Sequence, residues 1–320
     1  MGDDRWLGDG APVARLSGVV RRYGEVTALD GVDLSIRAGQ LLGLLGPNGA
    51  GKSTVINLLL GLRRAHAGTV ELFGGSPQDP ARRRRLGCTP QETALPATLR
   101  VGEVVRWVAG HFPDPVPAEE LLEQFDLADT VRRQTGGLSG GQRRKLSVAL
   151  ALVGRPRFVV LDEPTTGLDI DARHELWQAL RRVHAAGTTV LLTSHYLEEI
   201  EALAERVVVL HHGTVLADDT LGGVLSRVGV DLVSLRWTGP AGAAAGELAA
   251  LPGVARHEHA GDREVLYAAD ADRVVRELVE RGLPFSGVRV RGASLEEAFR
   301  VLTAAPRSDR RSGEPHEVGS

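Results

Sequence analysis

A layered α/β domain followed by a smaller α+β domain is the fold this sequence predicts, and three observations carry the prediction. Short apolar runs at 41–45, 158–161 and 189–192 have the length and continuity of strands buried on both faces. Helical stretches alternate with them, the order that lays helices against a mostly parallel sheet. Beyond residue 219 the continuous runs give way to alternating apolar residues, which marks a second unit built differently.

Residues 1–12 are polar and are expected to form a flexible arm, and residues 13–219 carry the alternating pattern. The run 41–45 ends in a glycine-rich turn, and a helix is expected over 53–62. Residues 93–137 read as a helical insertion between two core strands. Val101, Val104, Val105 and Val108 have helical spacing, as do Leu121, Leu122 and Phe125, and Pro113, Pro115 and Pro117 break the stretch between them. A further helix at 172–186 places Leu176, Ala179, Leu180 and Val183 on one face. In 220–303, Val233/Leu235/Trp237, Val265/Tyr267 and Val288/Val290 alternate, with helical stretches near 241–251 and 270–281. That β-α-β-β-α-β order is the ferredoxin-like arrangement. Ser294 and Glu297 form a capping box that opens a last helix to about 303, and 304–320 reads as a disordered polar tail.

Composition bounds the function. The 320 residues are enough for two domains at roughly 150 each. With 42% apolar and 25% charged residues the chain can bury a full core. A net charge of -3 excludes a grip on nucleic acid by bulk positive charge. The single cysteine, Cys88, excludes a disulfide framework or a multi-cysteine metal site and is expected to be a small buried hydrophobe. The polar, acidic start does not read as a signal peptide, and no apolar run approaches the ~20 residues of a membrane helix. Of 38 basic residues only Lys52 and Lys145 are lysine, which points to a chemical demand at such a position.

Six segments carry chemistry. Gly46-Pro47-Asn48-Gly49-Ala50-Gly51-Lys52-Ser53-Thr54 satisfies the phosphate-loop pattern, with an apolar strand before it and a helix after it. Its glycines let backbone N–H groups wrap phosphate oxygens, Lys52 reaches the terminal phosphates, and Ser53 can ligate Mg²⁺. Asp162 and Glu163 end an apolar strand; the first suits a Mg²⁺-holding carboxylate and the second a base for the attacking water. Leu138-Ser139-Gly140-Gly141-Gln142 opens a helix and reads either as a second anion nest or as an ordinary N-cap and turn. His195 can hydrogen-bond a phosphate or be a satisfied surface group, and Gln91 can touch Mg²⁺ or water or be a plain loop residue. Tyr23 can stack on an adenine or be a partly buried strand tyrosine.

Together, and in this order, these residues resemble the ATP-binding subunits of ABC transporters. Tyr23 matches the A-loop, residues 46–54 Walker A, Gln91 the Q-loop and 138–142 the LSGGQ signature. Residues 158–163 match Walker B, Gly167-Leu168-Asp169 the D-loop and His195 the H-loop. The likeness covers about residues 13–225. DEPTTGLD, TSHYLEEIEALAERVVVL and the late SLEEAFRVLT are similar to ATPases of the daunorubicin-resistance type of multidrug exporter, which work with separate ABC-2 type membrane proteins.

The resemblance implies an ATPase that acts as a head-to-tail homodimer on the cytoplasmic side of the membrane. Each ATP sits on Walker A of one chain and beneath Ser139–Gln142 of the other, with Asp169 at the shared interface, so one γ-phosphate answers two nests. Ser53, Gln91 and Asp162 would meet Mg²⁺, Glu163 would act on water, and His195 and Gln91 would sense the γ-phosphate. Leu95, Leu99, Val101 and Trp107 are candidates for the permease contact. The expected work is export of a drug, antibiotic or lipid-like compound, with no nucleic acid bound. The alternative is a soluble ABC ATPase acting on ribosomes or DNA. Against it stand a single Walker A and no visible coiled-coil insertion. A degenerate binding module is opposed by the intact Lys52, Asp162, Glu163 and His195.

Overall fold

The computed structural model describes residues 12–89, 95–226, 231–240 and 242–304. The chain divides into two compact units, one through Leu221 and one from Gly222. The expected arm lies outside the described residues except Pro12, which already belongs to a strand, and the expected tail lies outside them except Ala304.

In the first unit β1 (Pro12–Tyr23), β2 (Val26–Arg37) and β3 (Leu41–Leu45) precede α1 (Lys52–Leu59) and β4 (Ala67–Leu72). Next come α2 (Pro80–Arg83), β5 (Leu86–Thr89), α3 (Val101–Ala109), α4 (Ala118–Gln124) and α5 (Gly140–Leu152). The unit continues with β6 (Phe158–Asp162), α6 (Ile170–Ala185), β7 (Thr189–Thr193), α7 (Leu197–Leu203), β8 (Arg206–His211) and β9 (Thr214–Thr220). One six-stranded sheet has the order β5-β6-β7-β3-β8-β9, and only β9 runs antiparallel to its neighbour. Every residue of β3, β6 and β7 is buried, which is why these strands read as unbroken apolar runs rather than alternating ones.

A second, antiparallel sheet of order β2-β1-β4 joins the same core. Val55, Ile56, Leu58 and Leu59 of α1 pack there with Leu16, Leu34 and Ile36 of the antiparallel sheet and Leu42 and Leu44 of β3. Burying each such side chain contributes roughly 1.5–3 kcal/mol, so α1, only two turns long, is held by tertiary packing rather than by propensity. Gly43 has a similar logic: a Cβ there would lie 2.8 Å from Ile200 Cγ2, so the missing side chain lets α7 close onto the sheet.

The insertion between β5 and β6 is helical as expected. Val101, Val104, Val105, Leu121, Leu122 and Phe125 are among its buried residues. In α6 the buried set is Leu176, Trp177, Ala179 and Leu180; Val183 is only half-buried, and Trp177 takes its place. Cys88 corrects an expectation: it is exposed, on the strand at the edge of the sheet.

The second unit runs α8 (Leu221–Ser226), β10 (Asp231–Trp237), α9 (Ala244–Ala249), β11 (Val254–Ala260), β12 (Arg263–Ala268), α10 (Ala271–Glu280), β13 (Phe285–Gly292) and α11 (Leu295–Ala304). Its sheet order is β11-β12-β10-β13, with every pair antiparallel. Val233, Leu235, Leu248, Leu266, Val274 and Leu278 form the core. In β12 Glu264, Leu266 and Ala268 are the buried residues, while Val265 and Tyr267 are half-buried and Val290 of β13 is exposed. Glu264 hides in an apolar row because His257 Nε2 and His259 Nδ1 lie 2.7 and 2.9 Å from its oxygens. Tyr267 keeps a polar tip, its hydroxyl donating to Glu258 Oε2 at 2.7 Å. The Ser294–Glu297 capping box forms, Ser294 N donating to Glu297 Oε2 at 2.7 Å.

Candidate functional site

Each glycine of the loop after β3 has its own reason. At Gly46 a Cβ would lie 2.5 Å from Leu210 O, and at Gly51, with φ 109°, it would lie 2.7 Å from Ala28 O. At Gly49, with φ 79°, the space is open, but the backbone conformation disfavours a side chain. Ala50 N closes the loop on Pro47 O at 3.1 Å. No side chain caps α1, and its first turn holds no acidic residue. Its leading amides and dipole are therefore left for an outside acceptor. Lys52, 8% exposed, folds back across the loop, Nζ donating to Gly46 O at 2.5 Å and Pro47 O at 3.2 Å. Burial pulls its pKa below the ordinary lysine value, opposed by the nearby charges of Glu163 and Asp162. Pro47, Asn48 and Ser53 are exposed, and Ala50 and Thr54 are buried.

The strand order sets β6, β7 and β3 side by side and parallel, so their carboxyl ends share one edge. Ligand crevices of open α/β sheets lie at that edge. Asp162 ends β6, buried, and its Oδ1 accepts from Thr193 Oγ1 at 2.5 Å. Glu163 follows with φ 50°, a left-handed conformation for a non-glycine residue. Its N–H reaches Thr193 O at 3.1 Å. Its Oε1 lies 2.6 Å from His195 Nε2, and Thr166 Oγ1 donates to its Oε2 at 3.3 Å. The loop lysine, both carboxylates and the histidine thus meet in one place.

The other expected residues are placed differently. Ser139 caps α5, accepting from Gln142 N at 3.1 Å while Ser139 N donates to Gln142 Oε1 at 3.1 Å. Gly140 is exposed, with open space where a Cβ would be, and a Cβ on Gly141 would sit 3.5 Å from Leu168. Among the described residues, 139–142 make no hydrogen bond to 46–54. Asp169 caps α6, its Oδ1 accepting from Ala172 N at 2.8 Å. Tyr23 ends β1, 41% exposed, with the Arg21 guanidinium 4.7 Å from its ring centre. Gln91 lies outside the described residues. Of the expected apolar patch, Val101 is buried and belongs to the helical packing, while Leu99 and Trp107 are 39% and 69% exposed.

Sequence reasoning passed over three residues. Thr193 links the two strand ends, Arg144 reaches the turn at Glu163 from α5, and Glu199 is a fully buried hub. Thr165 Oγ1 and Trp177 Nε1 donate to Glu199 at 2.9 and 3.1 Å, and Ser194 hydrogen-bonds it as well. The hub therefore ties the segment after Glu163 to the segment before His195. Burial raises the Glu199 pKa, against the lowering effect of the Ser194, Thr165 and Trp177 hydrogen bonds and of Arg173. A raised carboxylate pKa adds stability below its unfolded value that is lost as pH rises through the folded one. Glu199→Gln, a neutral isostere, is expected to flatten the dependence of Tm on pH above the ordinary carboxylate range. Glu199→Ala strands buried donors at roughly 1–3 kcal/mol each. Thermal melts across pH check both, and an unaltered slope in the Gln variant would count against the charged hub.

A phosphate-wrapping loop at the carboxyl edge of a parallel sheet, with a lysine and two carboxylates beside it, defines a P-loop ATPase. The ABC transporter family model matches residues 29–166. The chain is 40% identical over 307 residues to the daunorubicin resistance ATP-binding protein DrrA3 of Streptomyces coeruleorubidus, covering 91% of this chain and 96% of that one. It is 37% identical over 300 residues to the Nod factor export ATP-binding protein I of Burkholderia orbicola (strain AU 1054), covering 91% and 97%. Among solved structures it matches an ATP-binding subunit of an ABC transporter with a TM-score of 0.62 at 28% identity, over 68% of this chain and 93% of that one. It also matches a dimeric ATP-binding cassette in a post-hydrolysis state bound to ADP and Pi, with a TM-score of 0.59 at 26% identity, over 65% and 98%. The chain belongs to the ABC transporter family of ATP-binding proteins, as an ATPase of the daunorubicin-resistance type.

Proposed function

We propose that this chain energises a separate ABC-2 type membrane permease, and that the pair exports a drug, antibiotic or lipid-like compound. Full-length relatives named for daunorubicin resistance and Nod factor export support this over the reading of a soluble ATPase on ribosomes or DNA. Among the described residues no helix is long and apolar enough to cross a membrane, in keeping with a permease on another chain and a peripheral place beside it.

The observation that carries the mechanism is the pairing of one converged half-site, Lys52 with Asp162, Glu163 and His195, with a turn whose Ser139 and Gly140 are exposed and which, among the described residues, makes no hydrogen bond to the 46–54 loop. Two copies placed head to tail complete each site. The first-turn amides of α1 and Lys52 hold the β- and γ-phosphates of ATP. Ser139, Gly140 and Gly141 of the second copy face the γ-phosphate from the other side. Tyr23 is placed for the adenine and Asp169 for the shared interface. Glu163 takes a proton from the attacking water, and His195, on its Oε1, orients that carboxylate. Ser53 and Asp162 are hard oxygen donors that would hold Mg²⁺ beside phosphate, where the ion would neutralise developing charge; Gln91 is the further candidate. Residues 13–219 act as the ATPase domain, with 93–137 its helical part. Residues 220–303 are a ferredoxin-like accessory domain, a reading supported by their sheet order.

Co-expression with an ABC-2 type permease tests the coupling. The expected result is co-purification in detergent and a capture about tenfold weaker for Trp107→Glu, equivalent to ~1.4 kcal/mol at the contact, with nucleotide affinity unchanged. Absence of any permease-dependent capture or stimulation of ATP hydrolysis would defeat the proposal.

A further inference from the structure

Arg144 lies one turn into α5, the helix that the 139–142 turn opens. The residue is half-buried, and its guanidinium donates to backbone carbonyls. Nη2 donates to Asp162 O at 2.6 Å and to Glu163 O, and Nε donates to Pro164 O at 2.9 Å. Three successive carbonyls, that of the last residue of β6 and the two after it, are satisfied by one planar fork. The middle one belongs to Glu163, whose backbone is left-handed at φ 50°. Such a conformation persists only where surroundings over-determine it. The surroundings are Thr193, which receives the Glu163 N–H, and Arg144, which grips the carbonyls on either side. Burial weakens the hold of this guanidinium on its proton, while Asp162, Glu163 and Glu199 strengthen it.

We infer that Arg144 is a positioning residue that couples the signature turn of each chain to the hydrolytic carboxylate of that same chain. The inference rests on the two-copy reading above. In that dimer the 139–142 turn of a chain serves the partner's nucleotide, while its Glu163 serves its own. A shift of α5 on engaging the partner's γ-phosphate moves Arg144, and with it the turn that aims Glu163. One ATP site thereby senses occupancy of the other.

The test compares Arg144→Lys and Arg144→Met with the native chain. Nucleotide Kd, kcat, KM and the Hill coefficient of ATP hydrolysis are measured, and nucleotide-dependent dimers are sized in a Glu163→Gln background. The expected result is a kcat lowered by about tenfold or more, a Kd within about twofold of native, and a Hill coefficient falling from above 1 to about 1. Lysine should not rescue, because one ammonium cannot span three carbonyls. A loss of structure would lower kcat and affinity together, and the Lys variant, which keeps the charge and most of the volume, separates that case. Native hydrolysis without cooperativity, or an Arg144→Lys variant with native kcat and Hill coefficient, overturns the inference alone. Glu163→Gln chains that never pair with ATP present overturn the two-copy reading and this inference with it.

Discussion

Replacing Glu163 with Gln is expected to lower ATP hydrolysis by roughly 10²–10⁴-fold, the usual worth of a positioned general base, while leaving ATP binding intact. Glutamine keeps the volume and the acceptor that Thr166 Oγ1 reaches at 3.3 Å, and it tolerates the same left-handed backbone. What it loses is the capacity to take a proton from water. Two chains that close on ATP and cannot hydrolyse it should then remain closed. Phosphate release gives the rate, and sizing with ATP and Mg²⁺ gives the paired species. A hydrolysis rate equal to that of the native chain would remove Glu163 from the role of base, and His195, 2.6 Å from it, would become the next residue to test.

Lys52→Ala is the second large effect. The ammonium is 8% exposed and already lies across the loop, donating to Gly46 O and Pro47 O. A phosphate entering the loop replaces carbonyl acceptors with a charged one, and a hydrogen bond between charged groups is worth about 1.5–3 kcal/mol. The expected loss of nucleotide affinity is therefore about 10- to 100-fold, read by titration with a fluorescent ATP analogue. Lys52→Arg should not restore it, because a planar fork does not fit a pocket shaped for a point charge. The composition agrees: both lysines of this arginine-rich chain, Lys52 and Lys145, are buried. Lys145 is paired there with Glu175. An alanine variant with native affinity would show that the backbone amides alone carry the phosphate.

The linear chain by itself determined the layered α/β class, the strands β3, β6 and β7, and the phosphate loop. Each depends on neighbours within a few residues: two-sided burial writes an unbroken apolar run, and a wrapped loop demands glycine where φ is positive or a backbone crowds in. Only the tertiary structure decided which polar groups meet. Asp162 and Thr193 are 31 residues apart and touch because β6 pairs with β7. Arg144 reaches Pro164 across 20 residues because α5 packs beside β6, and nothing in the run Arg143-Arg144-Lys145 distinguishes the residue that does so. Glu264 and Glu199 are buried hubs that no local pattern marks, since the donors that make their burial tolerable arrive from other elements. Apolar patterning is a local record of burial, whereas the satisfaction of a buried polar atom depends on partners that only the packed chain brings within 3 Å or so.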